Sequence, residues 1–274
     1  MAKKKQSNTP EVTREQLAKT REAVRAAKQA EIEKDQRTKK IIFYTIIGIL
    51  LAVLVFIIIW VIIVSAEKSK PTVSGGALSA DNYTVNFGDP NAKVTVDLFF
   101  DFHCPGCGQF EQTNGADLKA LVDDGTIYLR NHPMNFEDRT SLGTNYSSRA
   151  ANAFVTVSKE DPDHALAFAQ LLWDNQPPQS NEGLTDEQIA AYAVEAGVSE
   201  EITATFASMT YQEWVDSSNT AAGNEGLVTT PGMKINDSWI MGDKDHQNQS
   251  ASDLEVNYTV AGALRDYLVE KANG

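Results

Sequence analysis

The sequence is short of cysteine: its 274 residues include only 2. So few thiols exclude a disulfide-dense scaffold and a four-thiolate zinc or iron–sulfur site. An excess of basic residues is also missing, since 24 Lys and Arg stand against 37 Asp and Glu, for a formal net charge of -13. This balance argues against nucleic acid as a partner, because the phosphate backbone attracts basic surfaces.

Charge of either sign is absent from one stretch, residues 41–64. As a helix this stretch would rise about 36 Å, enough to cross a hydrocarbon core of about 30 Å. Residues 1–40 hold 12 Lys and Arg against 6 acidic residues, whereas residues 65–274 carry a net charge of -19. By the positive-inside rule, the sequence predicts a single-pass protein of the cell membrane with a cytoplasmic N-terminus and an extracytoplasmic C-terminal part.

A cleaved signal peptide is the alternative to this anchor. The apolar region of a signal peptide is usually only about 7–15 residues long, so an uncleaved span is favoured. Composition then divides the chain into a basic, helix-prone cytoplasmic segment, a transmembrane helix, a flexible linker rich in Ser, Gly and Lys, and a folded domain. Their predicted bounds are 1–40, 41–64, 65–81 and 82–274.

The folded domain is predicted to be α/β. A β-branched and aromatic strand over 93–102 leads into the cysteine pair, a helix over 109–122 follows, and a second strand covers 126–131. A helical block at about 145–224 interrupts this pattern. After the block, strands are predicted at 233–236 and 239–241, and a closing helix at 256–271.

Cys104 and Cys107 form a CxxC motif where the first strand passes into a helix. A thiol in the first turn of a helix faces unpaired N–H groups and the positive end of the helix dipole, and both favour the thiolate. We therefore predict that Cys104 is the exposed attacking sulfur and Cys107 the more buried resolving sulfur. Pro105 suits the first helical position, which needs no N–H.

Two other uses of the cysteines are open. A purely structural disulfide would close only a four-residue loop and would contribute little stability. His103 and the two thiols are soft ligands suited to Cu(I), and Met233 could approach them, but no complete ligand set is evident and no metal site is predicted. Redox catalysis is the favoured interpretation.

The segment from Phe99 to Cys107, with Phe110 and Glu111 after it, resembles the active site of DsbA-like thiol–disulfide oxidoreductases, especially the membrane-anchored forms of Gram-positive and actinobacterial type. The segment 226–236 is similar to the family's Gly-Val-x-x-Thr-Pro…Asn stretch. The resemblance implies a thioredoxin-like fold with an inserted helical domain, here preceded by a single transmembrane helix. It further implies that Pro231 is cis and lies against the cysteines.

The resemblance also implies the chemistry and the partners. Cys104 and Cys107 would form a redox-active disulfide that needs no other cofactor, and the backbone of Thr230 would pair with an incoming peptide. Substrates would be exported proteins with cysteine pairs, and a membrane reoxidase of the DsbB or vitamin K epoxide reductase type would restore the disulfide. A reductase or isomerase of the same fold, a metal chaperone and a peptide-binding module are the alternatives.

Two departures from the family concern redox tuning and proton transfer. The dipeptide between the cysteines is Pro105-Gly106, whereas strong oxidants of the family have Pro-His. His103 either substitutes in part for that histidine or is an exposed rim residue. The family's buried acid lies six positions before the first cysteine, where this chain has Leu98. Asp97 and Asp101 flank that position, and the sequence assigns the proton transfer to neither.

Overall fold

The computed structural model describes residue 28, residues 77–79 and residues 83–274. The chain divides into two compact units, residues 1–70 and residues 71–274. In the first unit only Lys28 is described, and it is helical. The architecture below is that of the second unit.

The predicted cytoplasmic segment, the predicted span at 41–64 and most of the predicted linker lie outside the described residues. Among the helices that are described, none combines the length and the apolar character needed to cross a bilayer. The membrane anchor therefore stays a prediction from the sequence.

A mixed sheet of six strands organises the described part of the second unit, in the order β1-β2-β4-β3-β5-β6. The central strands β3 and β4 are parallel, and the other neighbours are antiparallel. The strands are β1 (Ala77–Ser79), β2 (Thr84–Phe87), β3 (Val94–Phe100), β4 (Ile127–Pro133), β5 (Gly232–Ile235) and β6 (Ser238–Met241).

Helices connect and cover these strands. The α-helices are α1 (Pro105–Asp123), α2 (Tyr146–Glu160), α3 (Pro162–Asp174), α4 (Asp186–Glu195), α5 (Glu200–Thr203), α6 (Gln212–Asn224) and α7 (Ala263–Asn273). Short 3-10 helices occupy Phe136–Thr140 and Phe206–Ser208. Helices α2 to α6 all lie between β4 and β5 in the chain, so a helical block separates two parts of the same sheet.

The two faces of the sheet carry different cores. Val96 and Leu98 of β3 share the main core with Leu118 of α1 and Leu268 of α7. Successive strand residues point to opposite faces, so Phe99 belongs to a second, smaller cluster with Met134, Ala222 and Leu227. The cysteines belong to the main core, on the face that α1 covers.

Aromatic packing joins the helical block to the turn that carries the cysteines. Phe102 is fully buried, and its ring centroid lies 4.6 Å from that of Trp173 in α3 and 5.8 Å from that of Phe154 in α2. Phe100 adds edge-on contacts with Phe102 and Trp173. The β3–α1 turn is thus held from outside the βαβ unit to which it belongs.

Two details differ from the sequence-based prediction. Residues 77–79 fall within the predicted linker, yet they form β1 and pair with β2 in the register Ala77↔Asn86. The closing helix begins at Ala263 rather than at 256, because Gly262 has a φ of +79° and breaks the helical path. Within the helical block, a capping box of Thr185 and Gln188 starts α4.

Candidate active site

The cysteine pair lies at the N-terminus of α1, as the motif predicts. Cys104 is the N-cap residue, with φ -80° and ψ 118°, and no side-chain cap occupies the helix end. Pro105 is in the first turn, where its missing N–H costs nothing. The N–H groups of this turn are consequently free to stabilise charge on the Cys104 sulfur.

Both sulfurs are thiols in the structure, and they differ in exposure. Cys104 is 7% exposed and Cys107 is 1% exposed. Cys104 is therefore the more exposed of the two sulfurs, as predicted, although it is largely buried and not an exposed nucleophile. Cys104 is the sulfur that an incoming thiolate can reach more readily.

The Thr-Pro motif lies next to the CxxC motif in the fold, although the two are far apart in the sequence. The Thr230–Pro231 peptide bond is cis, and the Cys104 thiol lies 3.4 Å from the Thr230 carbonyl oxygen. Gly106 faces the same proline, since a Cβ added at Gly106 would lie 3.2 Å from Pro231 Cδ. Thr230, Pro231 and the CxxC turn thus form one continuous surface, as the family resemblance implied.

Hydrogen bonding makes Cys104 acidic. A hydrogen bond from the Cys107 thiol is the largest effect, and it outweighs burial to lower the pKa of Cys104 to about 6. The Thr230 side chain and the backbone N–H groups of Cys107 and Gly106 lower this pKa further. At neutral pH Cys104 is therefore mainly a thiolate when the pair is reduced.

Cys107 behaves in the opposite way. Burial raises its pKa well above the usual range for a thiol, and the hydrogen bond and the negative charge of Cys104 add to the effect. One helical turn thus holds a thiolate and a thiol side by side. This asymmetry is the arrangement required when one sulfur attacks and its neighbour resolves.

His103 is buried, which overturns its interpretation as an exposed rim residue. Its Nε2 lies 3.1 Å from the Pro178 carbonyl oxygen, and its Nδ1 lies 3.2 Å from the Thr140 hydroxyl. The ring also packs edge-on against Tyr146. Both ring nitrogens therefore face protein groups other than the cysteines, so the structure supports neither a redox-tuning nor a copper-binding orientation for this ring.

The two acids beside Leu98 have separate environments. Asp97 bonds to Arg130 at 2.5 Å and to His132 at 2.8 Å on the sheet face opposite the cysteines. Burial alone would raise the pKa of Asp97, but these hydrogen bonds and positive charges outweigh it and lower that pKa. Asp97 is thus a fixed structural anion.

Asp101 lies beyond the end of β3, so strand alternation does not govern its side chain. It is fully buried and accepts backbone N–H bonds from His103 at 2.8 Å and Glu137 at 2.9 Å. Burial raises its pKa to about 7 despite these bonds, and its charge interacts with both cysteines. Asp101 can therefore exchange a proton near neutral pH beside the cysteine pair.

A cavity of about 380 Å³ adjoins the resolving cysteine, between α1, α3 and the sheet. Cys107, Pro231 and Glu111 contribute to its wall. Glu111 follows Cys107 by one helical turn, and its carboxyl group rests over Gly115. Burial raises the pKa of Glu111 to about 7, and the negative charge of Asp174 adds to the rise. Glu111 is a second carboxyl group that titrates near neutral pH.

Sequence reasoning identified the cysteines and the Thr-Pro motif but missed other residues of the site. Gln176 contacts the β3–α1 turn from a segment 72 residues from Cys104, and no local pattern marks it. In the sequence, Glu111 stands out only as part of the family segment. A search of the α1 face for acids one turn from a cysteine would have found it.

A sequence model of the thioredoxin family matches residues 80–255, and the chain belongs to this family. The serine/threonine-protein kinase PknE of Mycobacterium tuberculosis is 32% identical over 120 residues, 42% of this chain and 21% of the kinase. The probable disulfide bond formation protein D of Bacillus anthracis is 28% identical over 144 residues, 52% of this chain and 62% of that protein. The chain therefore matches about a fifth of the kinase and less than two thirds of the Bacillus protein.

Two solved structures share the fold over most of their length. MdbA of Corynebacterium matruchotii, a thiol-disulfide oxidoreductase, aligns with a TM-score of 0.53 at 26% identity, covering 64% of this chain and 91% of MdbA. Reduced DsbA of M. tuberculosis aligns with a TM-score of 0.51 at 25% identity, covering 68% of this chain and 93% of DsbA. The predicted resemblance to DsbA-like thiol–disulfide oxidoreductases is confirmed.

The acidity of Cys104 predicts a specific pH profile for the reduced protein. Alkylation by iodoacetamide is expected to rise with pH through a midpoint near 6 and then to level off, because the thiolate is the reacting species. Mass spectrometry of the labelled site measures this, and Cys107 should react only after unfolding. A midpoint near 8.5, typical of a free thiol, would contradict the hydrogen-bonded arrangement.

Proposed function

We propose that the protein is a membrane-anchored thiol–disulfide oxidoreductase that introduces disulfide bonds into exported proteins at Cys104-Pro-Gly-Cys107. The observation that carries this proposal is the opposite acidity of two thiols on one helical turn beside Pro231. The relatedness to MdbA and DsbA supports the same chemistry.

The reaction begins with Cys104 and Cys107 joined by a disulfide. A substrate thiolate attacks the Cys104 sulfur, the bond between the cysteines breaks, and Cys107 leaves and takes up a proton. A second substrate thiolate then attacks the substrate sulfur of the mixed disulfide, and Cys104 leaves as a thiolate. The substrate loses two electrons and forms a disulfide, and the cysteine pair gains both electrons.

The low pKa of Cys104 favours this direction. At pH 7 a thiol with a pKa of about 6 is mostly ionised. Compared with a thiol that titrates far above pH 7, this stabilises the reduced pair by about 1.4 kcal/mol, or about 30 mV. That corresponds to a tenfold shift toward a reduced enzyme and an oxidised substrate. Reoxidation then requires an external acceptor, for which we propose a membrane reoxidase of the DsbB or vitamin K epoxide reductase type.

The proposed location follows from the sequence. The uncharged stretch 41–64 after a basic segment supports a single-pass anchor with a cytoplasmic N-terminus and an extracytoplasmic catalytic domain. Protease treatment of intact spheroplasts should remove the C-terminal domain and spare an epitope at the N-terminus. Protection of both ends would contradict this topology.

Equilibration of the protein in glutathione buffers tests the direction of exchange. A potential near about -120 mV supports the oxidase, and one near about -270 mV supports a reductase of the same fold. A disulfide that resists every glutathione buffer and fails to oxidise a reduced client protein would overturn the catalytic proposal. It would favour a structural bond in a binding module.

Asp101 is proposed to supply the proton to the departing Cys107. Asp101→Asn is expected to slow release of Cys107 by about a hundredfold, the lower end of the effect of losing a general acid, in stopped-flow reduction by a dithiol. Asp97→Asn is the matched control: it breaks a buried ion pair and lowers the free energy of unfolding by about 3 kcal/mol, but leaves exchange unchanged. Equal rates for Asp101→Asn and the unaltered protein would exclude this role.

A further inference from the structure

A glutamine from outside the CxxC unit bridges the active-site turn. Gln176 follows α3, and its Nε2 donates hydrogen bonds to the carbonyl oxygen of Phe102 at 3.0 Å and to that of Cys104 at 2.9 Å. The two carbonyls lie on either side of His103, between the end of β3 and the start of α1. A single amide group therefore spans the turn that presents the attacking sulfur.

The same segment holds the turn at a second point. The Pro178 carbonyl oxygen lies 3.1 Å from His103 Nε2, two residues after Gln176. Residues 176–178, hereafter the clamp segment, lie in the connection between α3 and α4 within the helical block. The helical block therefore contacts the turn through hydrogen bonds as well as through the packing of Phe102 on Trp173.

Helix α1 leaves room for this glutamine at one position. A Cβ added to Gly108 would lie 2.2 Å from Gln176 Oε1 and 2.9 Å from its Cδ, distances that no real side chain tolerates. The backbone of Gly108 is helical and has no positive φ, so conformation does not require glycine there. The space that glycine provides is occupied by the Gln176 amide.

The bridged carbonyl controls where the Cys104 sulfur sits. The Cys104 carbonyl also accepts the first helical N–H bonds, from Cys107 at 3.1 Å and Gly108 at 3.2 Å. The Cys104 N–H donates to the Asp101 carbonyl at 3.0 Å. With Gln176 attached to its carbonyl, Cys104 has its backbone restrained on both sides, which keeps its sulfur against the N–H groups at the helix end.

We propose that Gln176 is a positioning residue that holds the Cys104 backbone so that the helix N-terminus stabilises the thiolate. The clamp segment thereby makes the reactivity of the cysteine pair depend on the docking of the helical block. This inference rests on the thiol chemistry proposed above, and it holds for either direction of exchange.

Gln176→Met tests the proposal, because it removes both N–H donors while keeping the length of the side chain. The midpoint of Cys104 alkylation is expected to move upward from about pH 6. The alkylation rate at pH 6 should fall about three- to tenfold, the effect of losing one or two hydrogen bonds. Gln179→Met is the matched control, since Gln179 bonds to Glu137 at 2.9 Å on the exposed surface. It should leave the profile unchanged.

Gly108→Ala provides an independent test in a helix that should still fold, because alanine is the better helix former. Its methyl group displaces the Gln176 amide without removing any polar group from the protein. It should shift the alkylation profile as Gln176→Met does. In a Gln176→Ala background, where no amide is present to displace, Gly108→Ala should have no further effect.

The outcomes separate this inference from the proposed function. An upward shift in Gln176→Met and in Gly108→Ala, with no further shift when Gly108→Ala is added to Gln176→Ala, supports the positioning role. Suppose that the unaltered protein exchanges disulfides and its Cys104 titrates near pH 6. If Cys104 has the same midpoint in both variants, the inference is wrong and the proposed function stands. If the unaltered protein shows neither exchange nor an acidic thiol, the proposed function itself fails.

Discussion

Cys104→Ser is expected to abolish disulfide exchange, because a serine hydroxyl neither ionises near neutral pH nor forms a disulfide with a substrate. The rate of client oxidation should fall to the uncatalysed background. Cys107→Ser should have a different consequence. The Cys104 thiolate still attacks a disulfide of a partner protein, displaces one of its sulfurs and forms a mixed disulfide, but no second thiol one turn away can release it.

Trapping in cells that express each variant measures this difference. Non-reducing gels followed by mass spectrometry should reveal covalent adducts of Cys107→Ser through Cys104, and none of Cys104→Ser. The double variant is the control for adducts that form without either thiol. Adducts that accumulate on Cys104→Ser instead would reverse the assignment of nucleophile and resolving cysteine.

Gly242→Ala is expected to destabilise the domain and to disturb the site together. A Cβ at Gly242 would lie 2.5 Å from the Gly232 Cα and 3.0 Å from the Thr229 carbonyl oxygen, and the residue has a φ of +91°. The Gly242 carbonyl also accepts N–H bonds from Val228 at 2.9 Å and Thr229 at 3.1 Å. The loop that carries the Thr230 carbonyl is therefore attached to this glycine.

Overpacking and the unfavourable φ should together lower the free energy of unfolding by about 2–4 kcal/mol. Chemical denaturation measures this loss, and the alkylation profile of Cys104 should shift with it, because the Thr230 side chain contributes to the acidity of Cys104. Gly125→Ala is the matched control, with a φ of +78° and no atom within 4 Å of the added Cβ. This substitution should lower the free energy of unfolding by only the backbone contribution, about 1 kcal/mol, and it should leave the alkylation profile of Cys104 unchanged.

Equal losses for Gly242→Ala and Gly125→Ala would mean that the loop around Pro231 moves freely to accommodate a methyl group. The close contact between Gly242 and Gly232 would then have no role in the geometry of the site. A change in the Cys104 titration without a change in the free energy of unfolding would also show that the two effects have no shared cause.

Features that depend on neighbouring residues could be predicted from the sequence. The βαβ unit, the position of the cysteines at a helix N-terminus and the role of Pro105 all follow from local patterns, and the structure contains them. The closing helix predicted at 256–271 is present, but its predicted start was wrong because Gly262 adopts a positive φ that composition does not reveal. Strand β1 was missed because it depends on pairing with β2 rather than on its own composition.

Features that depend on contacts between distant segments could not be predicted. Asp97 and Asp101 are four residues apart, yet one is paired with Arg130 and His132 and the other lies beside the cysteines. His103 is adjacent to Cys104 in the chain, but its ring faces Pro178 and Thr140. The same residue types in the same order would be compatible with other partners, because burial and hydrogen bonding are set by the elements that pack around them.

The sequence by itself determined the reaction class: two cysteines with CxxC spacing before a helix, and a Thr-Pro motif far along the chain. It did so because a helix N-terminus acts on residues within its own first turn, a local effect that spacing reveals. The tertiary structure alone decided which carboxyl groups titrate beside the pair and that Gln176 holds the turn. Those roles arise from desolvation and from hydrogen bonds between residues that are, for example, 36 or 72 positions apart in the sequence. Only the packed fold brings such groups together.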